Sequence, residues 1–507
     1  MRLPYPTRFN INHVLIVALV LLFAQLLDGT DPVFAFLACV SLVFSAMAFN
    51  VLDGLATTAG AFVLFMALPT FALLLITKVL YWEPTNKHFE QPMLTISATA
   101  IGWLGILIAA LLSGRFATRR NLVRFTARDL ENLKNTSAGL LVIGLFSQIL
   151  LSNYNTGANG TIWAALNQLN IFVPMATILA TYYEICVSRG TRSMNWIVWV
   201  SILYVAGFGF IAASKQGMYT PFLSYFLVCA ALEYKFRPLQ VLAILAWLAF
   251  AIGFLFPWAQ YARSQTRKST LTGTLDATIA LIENPATIPA MYQWYSDSLK
   301  KNEDINQVSL CYDHPHGLMD RESLICQDDR LINLTQHTGP VGMSYLIDGF
   351  EMVIPHFLWP GRVNLSLGNI YGRETGQTGS EDYTTSVAFA PIGDAYRELG
   401  WSGIVVVMPI LFFFTFIFLN AVFGDARESP WGLVLVCYAA FAAPGLLLPV
   451  HPQLWGHYVP LILIVMWITR YVAPEVALLF GFRKIQAKIV EPGTELVPKG
   501  KEVRGSL

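Results

Sequence analysis

The sequence predicts an all-α polytopic membrane protein of about twelve transmembrane helices, with one large loop domain between the ninth and tenth. Three observations lead there. Of 507 residues, 55% are hydrophobic and 13% charged, against about 25% charged in an ordinary soluble domain. Apolar runs of bilayer-crossing length recur along the chain, and the cations between them fall in alternate loops. The mean hydropathy of +0.53 agrees. The formal net charge of +1 leaves no basic footprint for nucleic acid.

A spanning helix needs roughly 17–25 apolar residues. Such runs lie at about 11–27, 32–50, 57–80, 93–113, 138–153, 161–185, 194–213, 217–234, 238–258, 403–422, 431–449 and 455–471. The first follows Arg2 and Arg8, but no small-residue cleavage site comes after it and a second run begins at once, so it reads as a retained helix. Lysine and arginine set the orientation. Arg115, Arg119, Arg120, Arg124, Arg128 and Lys134 share one loop; Arg189 and Arg192, then Lys235 and Arg237, fill two others; Arg483, Lys484 and Lys488 follow the last run. Placing both termini in the cytoplasm puts all of these inside. The tail over 472–507 starts apolar and basic, as an amphipathic helix along the inner leaflet would, and ends in a polar stretch of disordered composition.

The same parity puts residues 259–402 outside. The predicted organisation is therefore a nine-helix region over 1–258, a loop domain over 259–402, a three-helix region over 403–471 and the tail. Two of the six cysteines, Cys311 and Cys326, fall in the loop, and a lone pair in an outer domain suggests a disulfide. Asp313, His314, His316 and Asp320 lie between them as an alternative metal set, but their spacing matches no structural zinc pattern. Seven of the eight histidines fall on the outer side, so any acid–base work near neutrality belongs there.

Cations also gather at that face. Lys215 sits between two closely spaced runs; Arg263, Arg267 and Lys268 follow the ninth; His356, Arg362 and Arg373 lie late in the loop. Arginine grips phosphate through a planar two-pronged geometry and lysine acts as a point charge. The plainer reading of each cation is a side chain snorkelling to the headgroups. As a set they suggest a binding surface, and Gly361, Gly368, Gly372 and Gly376 beside them suggest close-packed or re-entrant backbone. TTSVAFAPIGDAYRELGWSG, over 384–403, then places Asp394, Arg397 and Glu398 at the entry to the tenth run. Asp394 and Arg397 can pair locally at that entry, or the charges can form the wall of a site.

These residues carry a resemblance. Ser214-Lys215, then Ile354-Pro355-His356, Pro360-Gly361-Arg362 and Gly368-Asn369, and finally Thr385-Ser386, Pro391, Gly393-Asp394, Tyr396, Gly400 and Gly403 resemble the motifs of Wzy-type O-antigen and oligosaccharide repeat-unit polymerases, relatives of the O-antigen ligases. The match covers about 205–420 and departs at Lys215, where the family has arginine, and at Asp394, where it more often has glutamate. It implies a GT-C-like glycosyltransferase of the bacterial inner membrane, working at the periplasmic face. Its donor and acceptor would be undecaprenyl-pyrophosphate-linked glycans, with membrane lipids and a chain-length regulator as further partners and no metal or other cofactor. Cations are required where charge builds on the leaving pyrophosphate, which assigns Arg263, Arg362 and Arg373, assisted by Lys215. The attacking hydroxyl needs a base within reach; Asp394, Glu398 and His356 are the candidates, with His451 and His457 on the same face. A ligase differs from such a polymerase in its acceptor. A transporter or flippase is the rival class, but the runs are almost free of mid-span charge and show no repeated half.

Overall fold

The computed structural model describes residues 1–116, 125–151, 168–211, 214–265, 287–305, 311–312, 323–354, 365–383 and 385–472, with isolated positions among the segments between them. Helices account for the regular structure of these residues, whose β-pairing is limited to two isolated bridges. Five helices are long and apolar enough to cross a membrane: α2 (Pro32–Val51), α3 (Thr58–Tyr81), α4 (Pro92–Phe116), α9 (Pro238–Ala259) and α15 (Gly403–Phe423). Shorter apolar helices stand among them: α1 (Ile11–Leu27), α6 (Phe172–Val187), α7 (Trp196–Ile211), α8 (Lys215–Ala231) and α16 (Pro430–Gly445), with α17 (Val459–Trp467) closing the bundle. The loop after α9 folds into α10 (Thr287–Ile305), α11 (Leu324–Thr338), α12 (Ser344–Glu351), α13 (Leu367–Glu374) and α14 (Pro391–Leu399).

Local chemistry explains the boundaries. α2, α4, α9, α14 and α16 each open on proline, whose fixed φ and missing N–H suit the first helical position. Asp31 caps α2 by accepting from the amides of Val33 and Phe34, both at 2.9 Å. One helix departs from expectation. α5 (Ala127–Leu151) begins a full three turns before the apolar run expected from 138. Its polar start continues the helix because Asp129 is buried and paired with Arg470 at 2.6 Å. Residues 152–167, which the sixth expected run enters, lie outside the described residues.

Prolines also leave a signature inside the helices. Wide five-residue turns run over Ala251–Leu255, Gly403–Val407 and Leu454–Tyr458, and Pro257, Pro409 and Pro460 each follow two residues later. A proline ring clashes with the carbonyl four residues back. Here that carbonyl falls at the centre of the wide turn, so the helix loosens there rather than breaking.

The two ends of the bundle are distinct. At one end Met1 exchanges backbone hydrogen bonds with Phe236 (2.9 and 2.8 Å). Arg2 pairs with Glu233 at 3.0 Å and Arg8 with Asp53 at 2.7 Å, and Thr57 bridges to Asp425. At the other end, the amide of Thr85 donates to the Thr30 hydroxyl at 2.8 Å, and the loop helices sit on the α3–α4 connection. The loop is thus anchored on the end opposite to Met1.

Candidate functional site

The site is built around α14, nine residues in which all but the last side chain is buried. Its N-terminus is capped from a distant helix. Asp328 of α11 accepts from the amide of Ala390 (2.8 Å) with one oxygen and from that of Gly393 (3.3 Å) with the other. A Cβ on Gly393 would come within 2.5 Å of that carboxylate, so the glycine is what admits the acid. The neighbouring Asp329 turns to the membrane helices. It accepts from the amides of Glu90 (2.6 Å) and Gln91 (3.0 Å) and from the Thr95 hydroxyl (2.6 Å), capping α4. One helix therefore holds the starts of two others, which orients α14 against the spans.

The C-terminus of α14 is held as firmly. The amides of Val341 and Gly342 donate to the carbonyls of Arg397 (3.0 Å) and Glu398 (2.7 Å), and Gly400 (φ 61°) ends the helix. Gly403 follows so closely on Ala395 that a Cβ would fall 2.0 Å from its carbonyl oxygen. The glycines at the doorway thus serve close packing. Of the loop glycines, Gly368 and Gly372 press on Ser386 and Val387, whereas a Cβ on Gly361 would meet only Trp359, at 3.9 Å, and Gly376 stands in open space, so close packing accounts for only two of the four.

The three doorway charges part company. Asp394 is fully buried, accepting from the Tyr371 hydroxyl (2.8 Å) with one oxygen and from the Leu448 amide (2.7 Å) with the other. Leu331, Leu367, Phe389 and Leu447 close around that pair. Arg397 does not pair with Asp394. It donates to Glu374 (3.1 Å), the Thr338 hydroxyl (2.8 Å) and the Gly339 carbonyl (2.9 Å), because α13 and the end of α11 offer those acceptors where its side chain leaves the helix. Glu398 is fully buried, and neither carboxyl oxygen makes a hydrogen bond.

Electrostatics separate the two acids. Burial raises the pKa of Glu398, the charge of Asp394 raises it further and Asp348 adds to this; the Leu346 backbone alone leans the other way. Burial also raises Asp394, but its two hydrogen-bond donors oppose the shift. A carboxylate without a donor is the costlier one to ionise inside protein. Both shifts favour keeping one proton in the pair, and the two donors around Asp394 favour Glu398 as its holder. Burial likewise raises Asp328, against the amides of Ala390 and Gly393.

The remaining expected residues are placed unevenly. Arg373, on α13 beside Tyr371, donates from Nε to Asn369 (3.2 Å) and lies 4.3 Å over the Tyr383 ring. Asn369 in turn donates to the carbonyls of Asp382 (2.8 Å) and Thr385 (2.7 Å), which fixes the segment leading to α14. Lys215 opens α8 behind Ser214, whose hydroxyl caps Gly217 at 3.2 Å, and Arg263 lies in the helix continuing α9; the side chains of both are outside the described residues. Arg362 and His356 fall outside them altogether, as do Asp313, His314, His316 and Asp320. His451 is a core residue rather than a surface base. Its Nδ1 meets the Thr415 hydroxyl at 2.7 Å, its ring packs edge-on to Phe412, and burial pushes its pKa down to about 3. Among the described residues, no group of three His, Cys, Asp or Glu side chains is placed to hold a metal ion.

Cys311 and Cys326 are joined in a disulfide with a Cα–Cα distance of 6.0 Å. It fixes Tyr312 against α3, where the phenol meets the Thr77 hydroxyl at 2.5 Å and the Lys78 ammonium stands 4.9 Å over the ring. Lys78 is buried and paired with Glu83 at 2.8 Å, so it is held in place rather than offered to the surface.

Asp328 and Tyr371 were not singled out by their local sequence, although a signal exists for the first. Asp328 and Asp329 stand on the stripe of α11 that also carries Ile325, Ile332 and Thr335, all spaced for one helix face. Acids on such a stripe must be buried and must find donors. Comparison with models of known families, with characterised proteins and with solved structures finds no match to this chain.

Proposed function

We propose that this protein is a GT-C-like glycosyltransferase of about twelve spans, both termini cytoplasmic, that polymerises polyprenyl-diphosphate-linked oligosaccharide units at the loop face. The observation that carries the reading is the buried Asp394–Glu398 pair, held by capping from both ends at the junction of loop and spans. Glycosyl transfer from a diphosphate moves one proton, from the attacking hydroxyl, while negative charge collects on the leaving group. Two neighbouring buried acids that hold one proton leave one carboxylate for the first task. Of the two, the ionised Asp394 is the acid able to accept the hydroxyl proton, and Glu398, already protonated, is its neutral partner. Arg373 faces the second task on the neighbouring helix, with Arg263, Arg362 and Lys215 as the further cations of the set. The resemblance of the doorway motif to the Wzy-type polymerases supports the same assignment.

The test is the lipid-linked glycan profile of cells making the Arg373→Ala or Asp394→Asn protein, beside wild type and a deletion. Accumulated single units without long chains, at normal protein level, is the expected result. Unchanged polymer in the deletion refutes the polymerase reading; polymer that is made but not transferred to its final acceptor favours ligase chemistry instead.

A further inference from the structure

α12 presents three distinct faces. At 100° per residue, Met343, Ile347 and Phe350 fall on one stripe around its N-terminal boundary and body, and they are 48%, 55% and 50% exposed. Tyr345, Leu346 and Gly349 fall on the opposite side and pack inward; a Cβ on Gly349 would meet the backbone of Pro449 at 2.5 Å. Ser344, Asp348 and Glu351 form a polar edge between the two. A helix packed on protein along one face needs a single polar outer face if water covers the rest. An outer surface divided into an apolar stripe and a polar edge matches a helix lying at a boundary between lipid and water.

Its surroundings indicate what covers the stripe. Phe350 packs against Trp455, at the head of the segment that becomes α17, with ring centroids 6.4 Å apart. The segment before α12 bonds to the end of α14, directly ahead of α15, where Trp401 and then Val405, Val406, Ile410 and Phe414 of α15 form an exposed apolar surface. α15 is long and apolar enough to cross a membrane, and a crossing sets that surface against hydrocarbon. The bond from the Gly342 amide to the Glu398 carbonyl sets the start of α12 five residues ahead of that span.

We propose that α12 is embedded in the bilayer leaflet on the loop side, with Met343, Ile347 and Phe350 among lipid hydrocarbon chains and Ser344, Asp348 and Glu351 at the headgroups. Leu346, on its inner face, lies against Glu398, so the helix stands between the buried carboxyl pair and lipid. A lipid-borne molecule reaching that pair would pass along this helix, sideways from the leaflet. The embedding stands independently of the glycosyl-transfer reading.

The test uses the full chain in phosphatidylcholine vesicles, with Ile347→Cys, Phe350→Cys or Ser344→Cys carrying an environment-sensitive fluorophore. Wild type controls for the free cysteines, of which Cys39, Cys229 and Cys437 are buried and Cys186 partly so. All three substituted positions are exposed, and continued protection of the buried Cys39, Cys229 and Cys437 from the label shows that each variant has folded. Acyl-chain-brominated lipid is expected to quench positions 347 and 350 at least about twofold more than 344, with aqueous iodide giving the reverse order. Iodide quenching all three equally overturns the proposal. So does protection of 347 from both quenchers with self-quenching that rises with protein-to-lipid ratio, which would mark a second copy on the stripe.

Discussion

Replacing Glu398 by glutamine separates a neutral carboxyl from an ionised one at almost constant shape. Neither oxygen of Glu398 has a partner in good hydrogen-bond geometry, so the amide forfeits at most a weak contact with the Leu346 backbone. The variant should therefore match the protonated wild type to within about 1 kcal/mol. Burial and the Asp394 charge raise the folded-state pKa, whereas the unfolded group titrates near about 4.3. The native state then binds more protons than the unfolded one, and wild-type stability falls as pH rises from the ordinary carboxylate range. It falls by at most about 1.4 kcal/mol per pH unit, until the folded group ionises too. Glutamine escapes that loss. Thermal unfolding in detergent at about pH 5 and about pH 8 should show the variant near wild type in acid and more stable than it in base. A difference in Tm that stays constant across this range would refute a proton held on Glu398. A variant that loses ground as pH rises would show that the carboxylate form has a donor after all.

The capping of α14 predicts an interaction between two positions far apart in sequence. Gly393→Ala puts a methyl 2.5 Å from Asp328 and should cost about 1–3 kcal/mol; Asp328→Ala should cost about 1–2 kcal/mol through the lost cap. In the double variant the clash is absent, so the two costs should fall well short of additive in a double-mutant cycle of unfolding free energies. Full additivity would contradict the contact. Cys326→Ser opens a bridge between residues 15 apart in sequence, a loop length at which a disulfide contributes about 3 kcal/mol. Maleimide labelling of Cys311, read by peptide mapping, should rise in that variant while remaining absent from unreduced wild type, and labelling of Cys311 or Cys326 in unreduced wild type would exclude the bond.

The five helices long and apolar enough to cross a membrane were legible because hydrocarbon imposes a blunt rule: no charge and enough length. The start of α5 was missed because Asp129 finds Arg470 from 341 residues away, a pairing that no local window contains. The doorway was legible as a constellation, since Gly393, Asp394, Gly400 and Gly403 sit within a short motif. Its internal wiring was not. Asp394 and Arg397 are spaced for a local pair, yet each takes a remote partner, Leu448 and Tyr371 for one and Glu374 for the other. Helical spacing tells which side chains can meet, and competition from nearer or better-oriented groups decides which do.

The twin acids of α11 have a consequence for local opening. Asp328 grips the first turn of α14, and Asp329 that of α4, from adjacent positions on one helix. Fraying of α11 at this point withdraws both carboxylates at once, so amide hydrogen exchange at Gly393 and at Gln91 should report a single shared opening rather than two. A residue inserted between the two acids would turn one of them by about 100° about the helix axis and undo one grip or the other. Such a dipeptide can tolerate exchange of its neighbours far more readily than a change in its length.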